Sequence, residues 1–537
     1  MILKVLLIVV LLLCMPFTHA QLTVDWYKPS GELSIYNPKK SIYNSADSCI
    51  YTAGMYSGQF EMGGFSVSSV FPKAFFLMKT KRNGEIVWLK TVAENDYYVE
   101  ITSNVTLSSG ASGDLLLGIT FNRKLFYGSD STILPDDSFT TGGMLFKLDT
   151  SGTGIWNKQV FVSSIQGVMI NGNQEVLLTG RTLNDDVYLT AYSDVGDSLW
   201  TRTGGSNSGY DEGRTIQVDL DNNIYVLGQI EPNASVYFDV EHPVFMNPYF
   251  HGGFLAKYNV FGQIQWIRSF YTSNFAQYIS CKSVSIKNNM VIVGGSFEGS
   301  ILKLSPSVPG LISPSSNHTT SFLICYDENG NVGWKKTPRK CLSGGEGLEL
   351  GEFFNETLIY SSSFSGSIII GGDTLSSSTN NLILEAFDTS GNSLWYKQIN
   401  GSNMDGATSL SKVENDLMLN ISTKSTSLQL DNTAMILSPV SDQMVLVRFN
   451  VSTLGLPENM ENDFSIFPNP TNGKWSIQAV ENLSGNTLQV FSVAGELIYE
   501  QVMSSGNIHP INEQFPLGIY LVRIAELSEK PVRLVIN

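Results

Sequence analysis

Six times along the chain a strand-like apolar run and a polar turn lead to a glycine, and a tryptophan follows four residues later. The glycines are Gly84, Gly152, Gly196, Gly262, Gly330 and Gly391, and their tryptophans are Trp88, Trp156, Trp200, Trp266, Trp334 and Trp395. FLAKYNVFGQIQW and LILEAFDTSGNSLW are two of the copies. A fixed internal period means stacked supersecondary units, none of which buries its apolar face alone. Each copy reads as a β-hairpin. Its turn asks for a residue that tolerates positive φ, and the indole is a recurring apolar anchor between sheets.

A second marker, an apolar run ending in glycine, lies between the tryptophans at Gly54, Gly118, Gly180, Gly228 and Gly295. Runs near Ser362 and Ile421 fill the same slot without glycine, which brings the count to seven units. The last unit has a strand at residues 444–450 but no tryptophan after it, whereas the N-terminal LTVDW has Trp26 with no hairpin before it. Pairing those two strands completes a unit from both chain ends and removes the free edges of the array. The expected fold is therefore all-β: a seven-bladed β-propeller over residues 21–452 with N-/C-terminal strand closure. Charged residues make up only 15% of the chain and glycines number 48, a balance that suits turn-rich β structure and argues against coiled coil and disorder. The formal net charge of −16 argues against a nucleic-acid partner, which calls for a basic face. Most units exceed a simple blade, and their surplus, as at residues 231–251, 298–320 and 424–443, reads as an added hairpin or long loop. The unit from Trp156 to Trp200 is short and lacks this surplus. The pattern resembles bacterial seven-bladed β-propeller repeat proteins, a likeness that speaks to architecture and leaves function open.

Residues 453–462, which contain Pro457, read as a linker, and residues 463–537 as a separate small β-sandwich. Three blocks mark it: DFSIFPNPTNGKWSI, LQVFSVAGELIYEQ and PLGIYLVRI, followed by a terminal KPVRLVIN. In this order they resemble the type A C-terminal sorting domain of the type IX secretion system. The residues that carry the likeness are Pro468, Asn469, Pro470, Gly473, Gly495, Gly518, Tyr520, Lys530 and Arg533. The resemblance implies handling by the type IX machinery, passage across the outer membrane, and release or attachment at the cell surface.

Residues 1–20 have the layout of a secretory signal peptide. Lys4 is followed by an apolar stretch at residues 6–15, with Thr18 and Ala20 at the small positions before a cut, so the mature chain is expected to begin at Gln21. No later segment approaches the length of a membrane-spanning helix. Four cysteines then remain, Cys49, Cys281, Cys325 and Cys341, with no CxxC spacing. One disulfide is compatible with export, and its pairing is open.

The sequence offers no catalytic signature: GxSxG, HExxH and the P-loop are absent. His242 and His251 share an inserted segment without a standard metal spacing. Residues 219–223 (DLDNN) resemble half a calcium loop but run straight into a strand, so no cofactor is expected and a structural Ca²⁺ stays open. Ser193-Asp194-Val195-Gly196 resembles a sialidase Asp-box, except that tryptophan follows one residue late. No catalytic or metal residue is assigned. The leading expectation is a secreted or surface-displayed binding or adhesion module with a glycan or surface-protein ligand, and insert aromatics such as Tyr237, Phe245, Tyr249 and Phe250 are its candidate contacts. The alternatives are a polysaccharide hydrolase or lyase with carboxylates at the propeller axis, and a purely structural surface element.

Overall fold

The computed structural model describes residues 22–536 except residues 32–33, 97–103, 134–140, 207–208, 232–235, 239–242, 245–251, 273–277, 305–308, 314–317, 404, 431–432, 438–442, 452–463, 468–470, 472–473, 480–482, 493–496, 507, 512, 514, 517 and 525–531. The expected signal peptide and linker lie outside the described residues, as do His242, His251, Phe245, Tyr249 and Phe250. Two compact units emerge, residues 1–452 and 453–537.

Among the described residues, the first unit holds seven sheets of four or six strands, every neighbouring pair antiparallel. Each contributes one innermost strand: Ser34–Asn44 in blade 1, Asn104–Ser109 in blade 2, Ser164–Ile170 in blade 3, Glu212–Val218 in blade 4, Ile279–Lys287 in blade 5, Lys340–Phe354 in blade 6 and Asp405–Val413 in blade 7. Each innermost strand packs on the next, and the seventh packs on the first, so the sheets form a closed ring. The first unit is a β-propeller. Blade 7 is built from Asp405–Val413, Asp416–Thr423 and Gln443–Val451, and its outer strand is the N-terminal Leu22–Pro29. Leu22 lies opposite Val451 and Trp26 opposite Arg448.

The two sequence markers have distinct physical roles. The glycine of each Gly-x-x-x-Trp hairpin has a φ between +71° and +90°, as the turn requires. The same glycine lies under the tryptophan of the preceding blade. A Cβ on Gly84 would come within 2.8 Å of Trp26, on Gly152 within 3.0 Å of Trp88, on Gly262 within 2.6 Å of Trp200, and on Gly330 and Gly391 within 2.8 Å of Trp266 and Trp334. Trp26, Trp156, Trp200, Trp266 and Trp334 donate Nε1–H to a carbonyl in that turn, at 2.8–3.2 Å. Trp88 meets its turn through ring packing, and there Thr150 O accepts from the Tyr51 hydroxyl and the Lys79 ammonium instead. Trp395 faces blade 7, whose outer pair is closed by two chain ends and so has no turn. It is buried in the apolar cluster of Leu417, Leu419 and Phe449.

A further regularity of the sequence completes this joint. Every one of the seven tryptophans is followed two residues later by a lysine or arginine. Arg202 Nε donates to Gly262 O at 2.8 Å, Arg268 Nε to Gly330 O at 2.6 Å and Lys158 Nζ to Gly196 O at 2.7 Å. The guanidinium groups of Arg202 and Arg268 also stand 5.3 and 5.2 Å from the rings of Trp200 and Trp266.

Three of the inserted segments extend the neighbouring blade rather than their own. Lys124–Tyr127 and Asp130–Ile133 leave blade 2 and add two strands to the outer edge of blade 1. Ile301–Leu304 with Leu311–Ile312 does the same from blade 5 to blade 4, and Ser427–Leu430 with Thr433–Ile436 from blade 7 to blade 6. The inserts thus cover outer edges that would otherwise present unpaired backbone groups. Blade 3 turns directly from Val176–Arg181 into Val187–Tyr192 and sends no strand to blade 2, which keeps four strands. The four cysteines form no disulfide and are buried, Cys49 in blade 1, Cys281 and Cys325 in blade 5 and Cys341 in blade 6. Burial pushes the Cys281 and Cys325 thiols up to about 12 and about 11, leaving them unreactive at neutral pH.

The second unit stacks two sheets: Phe464–Phe467, Trp475–Ala479 and Ile508–Ile511 in one, and Leu497–Val502, Thr487–Ser492, Gly518–Ile524 and Val532–Ile536 in the other. Trp475, Phe515 and Tyr520 sit in its single core, and the Tyr520 hydroxyl donates to Pro516 O at 2.8 Å.

Gly262→Ala places a methyl against the Trp200 ring at φ +71°, whereas Gly128→Ala meets open space at φ +58°. The first substitution is expected to cost about 2–4 kcal/mol, from backbone strain and overpacking together, and the second about 1 kcal/mol. Urea midpoints of the two variants check the difference.

Candidate binding site at the propeller mouth

The glycine toward the end of the second strand, present in five of the blades, shapes one end of the ring. In blades 3, 4 and 5 the innermost strand carries a β-bulge opposite that glycine. The bulge pushes a carbonyl inward: a Cβ on Gly180 would lie 2.0 Å from Ser164 O, on Gly228 2.3 Å from Glu212 O and on Gly295 2.2 Å from Ser280 O. Glycine is needed here for space. The bulged residues are Gln166, Arg214 and Lys282, and all three line the channel on the propeller axis. A bulge is a standard way to re-aim a side chain, and here it aims polar groups at the axis while the rest of the strand stays paired.

At the rim where the innermost strands begin, blades 3 to 5 enclose an open pocket of about 370 Å³. Its walls are the starts of three innermost strands and the ends of two second strands. Glu212 forms the floor and is 7% exposed. It accepts hydrogen bonds from the Ser164 hydroxyl and from Gln166 Nε2 at 2.8 Å, and Arg214 Nε stands 3.1 Å from its second oxygen. Tyr210 and Tyr278 line the same pocket and are 56% and 63% exposed. The Arg181 guanidinium lies 4.8 Å from the Tyr210 ring, and its Nε is held by Ser163 Oγ at 3.0 Å.

Tyr210 owes its place to its neighbour Asp211, a fully buried carboxylate. One Asp211 oxygen accepts the Ser206 amide and the other the Glu231 amide, at 3.0 Å. Its own amide donates to Asp185 O at 2.8 Å. Burial holds its carboxyl above the usual range, and these bonds clamp the loop between blades 3 and 4. Blade 7 repeats the device. Asp405, 3% exposed, begins its innermost strand just before Gly406, as Glu212 does before Gly213. It accepts from the Thr423 hydroxyl and, at 2.9 Å, from Ser425 Oγ, and burial raises its pKa to about 6.

The residues singled out in the sequence fall elsewhere. The seven tryptophans belong to the joints between blades. Tyr237 is exposed on a short insert bridged to Gly205 at the edge of blade 3 and does not line the pocket. The Asp219 carboxylate is committed to its own turn, taking the amides of Asp221 and Asn223 at 3.0 and 2.8 Å. Among the described residues no cluster of metal-ligating side chains forms. Of the sorting-motif residues, Gly518, Tyr520 and Arg533 lie in strands of the C-terminal sheet; Pro468, Asn469, Pro470, Gly473, Gly495 and Lys530 lie outside the described residues. Tyr210 and Tyr278 carry no sequence signal beyond being aromatic residues just ahead of an innermost strand.

Fold and site together define a β-propeller with a polar, tyrosine-flanked mouth, followed by a small β-sandwich. Residues 465–537 match the family of secretion system C-terminal sorting domains. The sandwich is therefore a type IX sorting domain, and the chain is exported to the cell surface or the extracellular space. Among curated proteins, the ulvan lyase NLR42 of Nonlabens ulvanivorans is 28% identical over 89 residues, a match that spans 16% of either chain. Among solved structures, the β-propeller domain of the Trilobed protease from Pyrococcus furiosus is 8% identical with a TM-score of 0.40, covering 76% of this chain and 98% of that one. A Dyadobacter fermentans protein of unknown function is 8% identical with a TM-score of 0.39, covering 80% and 99%. No helix among the described residues is long and apolar enough to cross a membrane.

Asp405 makes stability pH-dependent. Its folded pKa of about 6 exceeds the ordinary 3.8, so the folded state holds the proton more tightly. Its contribution is greatest at low pH and falls as pH rises from about 4 to about 6, by about 2–3 kcal/mol in all. Asp405→Asn is expected to flatten that part of the stability-against-pH curve, measured by urea unfolding at pH 4, 5, 6 and 7.

Proposed function

We propose that this chain is a secreted or surface-displayed binding protein whose propeller holds a polyhydroxylated ligand, a glycan, in the rim pocket of blades 3 to 5. The observation that carries this reading is the pairing of two exposed tyrosine rings with a fixed polar floor. Aromatic faces stack on apolar sugar faces. Gln166, Glu212, Arg214 and Gln229 supply donors and acceptors whose orientation the fold already sets, which lowers the ordering cost of binding. The sorting domain supports the setting: it brings the propeller to the cell exterior, where polysaccharides are the abundant polymers.

A second reading, a polysaccharide-cleaving enzyme, draws on the partial likeness to an ulvan lyase and on a carboxylate, Glu212, in the pocket. A single experiment separates the two. The exported protein is passed over neutral and acidic polysaccharides while retained protein and released oligosaccharides are both measured. Retention without products is expected, with Tyr210→Ala and Tyr278→Ala each weakening it about tenfold, or about 1.4 kcal/mol. Products that disappear in Glu212→Gln would establish the enzymatic reading instead.

A further inference from the structure

The channel on the propeller axis has a charge that its surroundings do not explain. It is a cavity of about 460 Å³ lined by residues of all seven innermost strands. The chain as a whole has 33 basic and 49 acidic side chains. Among the described residues, however, the channel wall carries four cations, Lys40, Arg214, Lys282 and Lys412, and one carboxylate, Glu352.

Elsewhere in this fold, buried cations are paired. Lys147 meets Asp114 and Asp194, Arg339 meets Glu385, and Arg448 meets Asp416. Lys40 and Lys412 belong to none of the ion pairs formed among the described residues, and the Lys412 ammonium stands 5.5 Å over the Phe354 ring. Glu352 lies in the field of both lysines, yet burial outweighs them and holds its carboxyl above the usual range. Burial likewise lowers the pKa of Lys40. A lysine pair turned into a narrow polar channel, with its one acidic neighbour disfavoured as an anion, is costly unless something else brings negative charge. Low-dielectric walls focus this positive field along the axis.

We infer that the axial channel is an anion-binding site that receives a carboxylate or sulfate group, with Lys40 and Lys412 as its principal donors and Arg214 and Lys282 along its wall. It is distinct from the rim pocket, although Gln166 and Arg214 line both. The group arrives either as a free small acid or as the acidic substituent of a sugar.

The test is calorimetric titration of the intact exported protein in low salt with sulfate, acetate, glucuronate and glucose. Binding of the anions but not of glucose is expected, weakening as salt rises. The double variant Lys40→Met with Lys412→Met is expected to lose at least tenfold in affinity. Glu352→Gln, which fixes that side chain in an uncharged form, is expected to bind anions at least as tightly as the parent, an outcome that misfolding does not produce. Tyr210→Ala is expected to leave anion binding unchanged, so that failure of the rim-pocket reading and failure of this one are told apart. Glucuronate binding well above acetate identifies an acidic sugar as the source, and equal binding a free anion. No heat with any anion, or affinity unaltered in the double variant, overturns the inference.

Discussion

The contact between a tryptophan and the turn glycine of the next blade is the joint on which this ring depends. Sheets in a propeller touch their neighbours only face to face, so something must set the spacing and rotation from one blade to the next. Here the indole covers a glycine that has no Cβ to hold it away, and in most joints its N–H bonds a carbonyl of the same turn. A lysine or arginine two residues on caps the turn from the other side. Apolar area, hydrogen bond and cation act on one small loop, which gives each interface a single register.

Closure follows from the same joint. Trp26 belongs to the N-terminal strand of blade 7 and covers Gly84 of blade 1, with Nε1 donating to Arg82 O. Arg448, opposite Trp26 on the neighbouring strand, donates to the same carbonyl. The two chain ends therefore meet at one turn of the first blade. The outer strand pair of the closing blade has no turn, and Trp395 is buried against that blade's apolar side chains instead.

The ring puts the chemistry at its axis and mouth. Bulges in the innermost strands, each admitted by a glycine on the strand behind, turn Gln166, Arg214 and Lys282 toward the channel. Buried carboxylates at strand starts, Asp211 and Asp405, hold the neighbouring loops in place. Three of the inserts serve as edge cover, pairing with the outer strands of the preceding blades. A ring of rigid blades can therefore present tyrosines on short loops without losing their positions.

Repeat spacing determined the all-β class, the blade units and the sharing of the last blade between the first and last propeller strands, and three short blocks marked the separate sorting module. These are local patterns: a turn glycine, an anchor tryptophan and alternating strands leave their mark within a dozen residues. The cation two residues after each tryptophan was equally legible, and it was missed only because the period was sought in apolar residues. Tertiary structure decided the rest. Which blade an insert joins, which strand glycine faces a bulge, and which of many acidic and basic side chains meet at the axis all depend on residues brought together across hundreds of positions. Lys40 and Lys412 come from opposite ends of the propeller chain and share one channel because the ring closes. Tyr210 and Tyr278 flank one pocket because adjacent blades begin at the same rim.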